Sequence, residues 1–151
     1  MNSGISYHVD ATNGASRRLG VKIEIDGPFN ENILELRFPR WVPGSYFIRE
    51  PIQHMSNLEA TCDNKEIQIK RIDVDGARIT GISNASKIVI TYKLLAAEMT
   101  CRANHLDETH VHIMPPYTWM MPTRGIEKSR LEQSHKVTLD APKGWQTATQ
   151  L

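Results

Sequence analysis

The chain has 151 residues and a formal net charge of +1, from 18 basic and 17 acidic side chains. That length fits one domain able to bury a sizeable core without a metal or disulfide staple. The balanced charge, with no basic run and no regular interleaving of aromatics with Lys or Arg, excludes a surface that tracks a phosphate backbone, so nucleic acid is not an expected partner.

Ile5, Tyr7, Val9 and Ala11 alternate with polar residues, the period of a half-buried strand, and Asn13-Gly14 follows as a turn. Leu19, Val21, Ile23 and Ile25 repeat that period, which predicts an antiparallel pair ended by Gly27-Pro28. A third strand over residues 33–38 sets Leu34, Leu36 and Phe38 on one face and Glu35 and Arg37 on the other. Beyond an irregular stretch, Leu58, Ala60 and Cys62 alternate again, Asp63-Asn64-Lys65 turns the chain toward Ile67 and Ile69, and residues 73–76 form another turn cluster.

Residues 77–82 read as a weak strand interrupted by Gly81. The β-branched run over residues 87–96, with Ile88, Ile90, Tyr92 and Leu94 on one face, is the clearest strand signal. Residues 109–113 alternate, Pro115-Pro116 breaks the pattern, residues 117–121 suggest a further short strand, and residues 123–132 read as an exposed charged connection. Val137 and Leu139 mark a last strand before Pro142-Lys143-Gly144-Trp145.

No stretch holds a 3.6-residue period over three turns. Short strands at regular spacing therefore predict an all-β fold, an antiparallel β-sandwich with few or no helices, as a single domain over residues 1–151. No apolar run approaches the roughly 20 residues of a membrane-spanning helix, and residues 1–6 lack the charged and apolar segments of a secretory leader. The expectation is a cytoplasmic chain with no membrane partner. Cys62 and Cys101 are accordingly read as reduced, buried, small apolar side chains rather than a disulfide.

One stretch departs from the strand pattern. Residues 38–51 crowd prolines, a glycine, aromatics and arginines between ordinary strands. Pro39 and Pro43 push Phe38 and Val42 toward extended backbone, and Pro43-Gly44 has the chemistry of a type II turn. Trp41 and Tyr46 should stand on either side of that corner, with Ser45, Arg40 and Arg49 nearby. Two readings follow. In one, the aromatics plug the open end of the sandwich while Arg49 pairs with Glu50 or another carboxylate. In the other, the corner faces a ligand or a second domain, since aromatics and arginine are the usual anchors of interfaces.

His105, His110 and His112 are the candidate metal ligands. On a strand, His110 and His112 would share a face, and a third ligand could complete a zinc site with an open position. The spacing is not that of the H-E-x-x-H helix of zinc proteases, and the simpler reading has both imidazoles on the solvent side of an edge strand. Gly44-Ser45-Tyr46 lacks the second glycine of a nucleophile elbow, so Ser45 reads as a turn residue. No residue is assigned a catalytic role.

Residues 36–49 resemble the W-x-P-G-S-Y-x-x-R signature in the amino-terminal domain of the glycyl-aminopeptidase family of zinc metallopeptidases. Residues 88–93 are similar to that family's V-x-V-x-Y-x-V strand, residues 101–107 to its R-x-x-x-L-D segment, and residues 137–151 to its closing P-x-G-W-x-x-A-T-x-L. Pro115-Pro116-Tyr117 departs from the family pattern.

The resemblance implies a β-sandwich followed by a thermolysin-like catalytic domain, with the zinc motif there and none of it here. Its implications are a non-catalytic amino-terminal domain with no cofactor of its own, zinc in the parent protein, and the catalytic domain of the same polypeptide as partner. Peptide would be bound through the parent, with Trp41, Pro43, Gly44, Ser45, Tyr46 and Arg49 at the cleft or domain interface. Self-association of the isolated domain through an uncovered apolar face is a further expectation. The alternatives are a stand-alone module binding a peptide or carbohydrate through the same corner, and a small metalloenzyme built on the histidines.

Overall fold

In the computed structural model, which describes residues 2–42 and 44–150, the chain forms two sheets sharing one apolar core. The strands are β1 (Asn2–Asp10), β2 (Arg18–Asp26), β3 (Ile33–Arg37), β4 (Met55–Cys62), β5 (Lys65–Glu66), β6 (Ile69–Arg71), β7 (Gly76–Thr80), β8 (Lys87–Leu95), β9 (His105–Leu106), β10 (Val111–His112), β11 (Met121–Arg124) and β12 (Ser134–Asp140). One sheet has six strands in the order β12-β1-β2-β8-β4-β5, the other four in the order β11-β3-β7-β6, and β9 and β10 form a separate short ladder.

Alternation builds the larger sheet as expected. The register sets Ile5, Ile25 and Ile88 in one row, Tyr7, Ile23 and Ile90 in the next, and Val9, Val21 and Tyr92 in a third, all facing inward and buried. Facing them, β3 and β7 contribute Leu34, Leu36, Ala77 and Ile79. Burying each large aliphatic side chain contributes roughly 1.5–3 kcal/mol, so these rows dominate the stability of the chain. The β4–β5 hairpin turns on Asp63 and Asn64, whose φ values of 48° and 66° are those of a two-residue type I′ loop.

The antiparallel, mostly-β fold is as expected, and three local readings are corrected. The strand expected over residues 117–121 begins only at Met121, because Pro115–Tyr117 is a 3₁₀ turn whose Pro115 carbonyl accepts from the N–H groups of Thr118 and Trp119 at 3.0 and 3.2 Å. Proline suits a first helical turn, where its missing N–H has no partner to lose. The Tyr92 hydroxyl then holds this segment, donating to the Thr118 carbonyl at 2.7 Å and accepting from the Met120 N–H at 3.1 Å, fully inside the core.

The exposed connection expected over residues 123–132 is partly structural: β11 runs through Arg124, Ile126 is buried, and Lys128–Leu131 is one helical turn. Gly125, at φ 93°, lies so close to the Ile33 carbonyl that a Cβ would sit 2.1 Å from its oxygen, which explains the glycine. Within the mainly antiparallel sheets, β12 returns to pair with β1 in parallel, Tyr7 opposite Val137 and Val9 opposite Leu139. Finally, both cysteines are free, but only Cys62 is half-buried, while Cys101 is exposed.

No helix of the described residues is long and apolar enough to cross a membrane.

Candidate functional site

The corner leaves the sandwich at Phe38, the last core side chain of its strand, whose ring meets Tyr92 edge-on at 6.0 Å between centroids. Its N–H donates to the Asp75 carbonyl at 2.9 Å. Asp75, buried in the turn between β6 and β7, then anchors the next turn of chain through its side chain. It accepts from Arg40 Nε at 2.6 Å and Nη2 at 3.2 Å, a two-pronged pairing, and from Arg37 Nη1 at 2.8 Å. Arg37 also reaches Asp73 at 2.6 Å, and its guanidinium holds the Asp73 carboxyl well below the usual carboxylate range. Two arginines and two aspartates thus clamp the root of the corner to the smaller sheet.

Beyond the clamp the chain makes a loop closed on itself. The Arg49 N–H donates to the Arg40 carbonyl at 2.8 Å across the neck, and the Ser45 N–H donates to the Val42 carbonyl at 2.9 Å. Gly44 has φ 85°, the value the third residue of a type II turn requires. Pro43, the residue expected to open that turn, lies outside the described residues. The Trp41 indole N–H donates to the Ser45 carbonyl at 2.6 Å, and the Ser45 hydroxyl donates to the Phe47 carbonyl at 3.1 Å. Ser45 acts here as a turn residue. Tied by these bonds, the loop turns its large side chains outward: Trp41 is 57% exposed, Tyr46 97%, Phe47 66% and Ile48 72%.

The aromatics therefore do not plug the sandwich. Val74, between the two clamping aspartates, is another exposed apolar side chain. At the far end Pro51–His54 forms a 3₁₀ turn that buries Pro51 and Ile52 and returns the chain to β4. The largest apolar side chains of this segment are thus grouped on the surface. Arg49 forms no ion pair with Glu50 or with any other carboxylate among the described residues; its Nε reaches the Ser45 hydroxyl at 3.4 Å, and its guanidinium lies 5.5 Å from the Phe47 ring centroid.

The histidine stretch is arranged differently from its strand reading. His105, Asp107 and His110 come together, their candidate ligand atoms within 4.8 Å of one another, while His112 turns away toward the Ala103 carbonyl at 3.1 Å. Asp107 organises the group: one oxygen meets His105 Nε2 at 2.9 Å, and the other accepts from the Thr109 N–H and hydroxyl and the His110 N–H. These bonds, the His105 contact foremost, hold its carboxyl well below the ordinary range.

The three groups lie close enough together to take a metal ion. The His105 and His110 rings stack at 4.9 Å and 28°, and the Asp107 oxygens already accept the bonds that close the turn. Among the described residues His105 Nδ1 is buried without a hydrogen-bond partner.

Sequence reasoning placed the corner but missed its anchor. Residues 73–76 were legible only as a turn, and nothing local in Asp73 or Asp75 tells which arginines, more than thirty positions away, they meet.

A family model for the Peptidase M61 N-terminal domain matches residues 6–151. No curated sequence matches the chain. Among solved structures, a crystal structure of an aminopeptidase N family protein from Idiomarina loihiensis superposes with a TM-score of 0.80 at 21% identity, over 92% of this chain and 22% of that one. At that identity the likeness concerns the fold. The chain thus spans about a fifth of the solved protein's length.

Proposed function

The chain belongs to the Peptidase M61 N-terminal domain family, and on that premise we propose that it is the non-catalytic amino-terminal domain of a zinc-dependent aminopeptidase. In this reading the 41–48 corner packs against the catalytic domain of the same polypeptide and borders the cleft that takes the peptide. Zinc belongs to that catalytic domain.

The observation that carries the reading is the outward display of Trp41, Tyr46, Phe47 and Ile48 on a loop tied internally and clamped at its root. Trp41 ties the loop through its indole N–H, but the side chains of Tyr46, Phe47 and Ile48 form none of the hydrogen bonds that close it among the described residues, so their exposure is explained by something that covers them. Aromatic anchors in a dry contact are the usual centres of binding energy.

The test is peptide turnover by the full-length parent. Trp41→Ala and Tyr46→Ala are expected to lower kcat/KM by about tenfold or more, the equivalent of roughly 1.4 kcal/mol in the barrier, with zinc content unchanged. Lys136→Ala, on the outer strand β12 of the other sheet, serves as the control. Unchanged turnover in both corner variants removes the cleft role. If the parent also left Trp41 and Tyr46 solvent-exposed, a stand-alone binding module would become the better account.

A further inference from the structure

Among the described residues, four arginines are half-buried: Arg37, Arg49, Arg78 and Arg130. Three are fully engaged. Arg37 meets Asp73 and Asp75, Arg78 meets Glu35 at 2.7 Å, and Arg130 donates to the carbonyls of Ser3, Asp26 and Pro28. Arg49 is the exception. Its Nε has the Ser45 hydroxyl at a long 3.4 Å and its plane has the Phe47 ring, but its two terminal amino groups have no protein partner among the described residues.

A guanidinium presents its N–H groups as a planar fork that matches a carboxylate with two parallel bonds. Here the fork sits within a loop whose other large side chains are Trp41, Tyr46, Phe47 and Ile48. Any surface that covers these apolar groups also takes Arg49 out of water, and a desolvated cation without an anion is strongly unfavourable. The covering surface must therefore bring acceptors to that point, and a carboxylate, whose two oxygens match the fork and whose charge offsets the cation, is the strongest of them.

We propose that Arg49 is the receptor for an Asp or Glu carboxylate carried by the domain that follows in the parent polypeptide. The inference rests on the docking reading above and adds its chemistry: an apolar contact with one charged register pin. A side-chain carboxylate on a protein surface is favoured over the terminal carboxylate of a peptide because the apolar display runs through four side chains of the loop, more than a chain terminus would cover. Such a pair, shielded by aromatic walls, sets orientation as much as affinity.

Hydroxyl-radical footprinting of the full-length parent, read at Tyr46 and Trp41, tests it together with KM for one peptide as free acid and as carboxamide. In the wild type Tyr46 should be protected. Arg49→Gln is expected to raise Tyr46 labelling about fivefold or more and to change KM for the two peptides by the same factor. Arg49→Lys, which keeps the charge without the fork, should recover part of the protection, and its recovery separates loss of the pair from loss of folding.

If Arg49→Gln leaves Tyr46 as protected as in the wild type, the carboxylate pairing is wrong while docking stands. A KM increase confined to the free acid, with protection unchanged, would instead assign the anion to the substrate and overturn the proposal. Heavy labelling of Tyr46 in the wild type would remove the docking reading itself.

Discussion

Phe38 and Trp41 stand three positions apart, yet the first is 1% exposed and the second 57%. Phe38 is held by apolar contact, closing a core row against Tyr92. Trp41 is held by a polar bond, its indole N–H on the Ser45 carbonyl, with its ring left in solvent. The sandwich interior and the corner are thus built on opposite rules: burial fixes one, while hydrogen bonds and an ion-pair clamp fix the other. The two should answer differently to substitution. Interior changes should lower the stability of this chain, and changes at the corner's apolar side chains should leave it nearly intact and appear only where the corner meets something else.

The largest effect should come from the core. Ile23→Ala, at a fully buried position in the middle of β2, is expected to cost about 2–5 kcal/mol, read as a lower urea midpoint at unchanged slope. A cost under about 1 kcal/mol would mean that the rows described for the larger sheet are wrong.

The clamp comes next, because it joins the two regions. Asp75→Asn keeps the shape but removes the charge that Arg37 and Arg40 share, for an expected loss of about 1–3 kcal/mol. Acid should act both on this clamp and on the separate histidine turn. Asp73 and Asp107 have folded pKa values below their unfolded ones, so their contribution is complete above the ordinary carboxylate range near pH 4. It is lost as pH falls below that range toward the folded values. The urea midpoint should fall between about pH 5 and pH 2, and Asp107→Asn should flatten that slope; an equally steep slope in the variant would disconnect Asp107 from it.

Gly44→Ala forces a side chain into a φ of 85° and should cost about 1 kcal/mol, with nothing in the surrounding space to clash. Smallest is the effect of Tyr46→Ala on this chain by itself, within about 0.5 kcal/mol, since its side chain is almost wholly exposed. Sedimentation should nevertheless register it: the wild-type chain is expected to self-associate through the uncovered corner, and Tyr46→Ala to weaken that association. A destabilisation as large as that of Ile23→Ala would erase the distinction between the two regions.

Where side-chain period alone decides burial, the sequence was readable. Ile5 through Val9, Leu19 through Ile25 and Ile88 through Leu94 all turned their apolar faces inward as the alternation required, since a strand has only two faces and water selects between them. Irregular segments were harder. Proline marked the break at 115–116, but a short 3₁₀ turn, a parallel partner for β1 and the buried Ile126 leave no periodic signature. The corner's composition announced an unusual element, and its turn chemistry was legible in Gly44. That its aromatics face solvent was not, because plugging a sandwich and facing a partner call for the same residue types.

By itself, then, the sequence determined the strands, their inward faces and the family to which the chain belongs, all of which depend on local spacing and residue type. Tertiary structure decided that Asp75 would reach Arg37 and Arg40, that His105 would join Asp107 and His110 instead of His112, and that Arg49 would find no anion among the described residues. Those outcomes depend on which distant segments the closed sheets bring side by side. Ionic and hydrogen-bonding groups act over a few ångströms in space, whatever their separation along the chain.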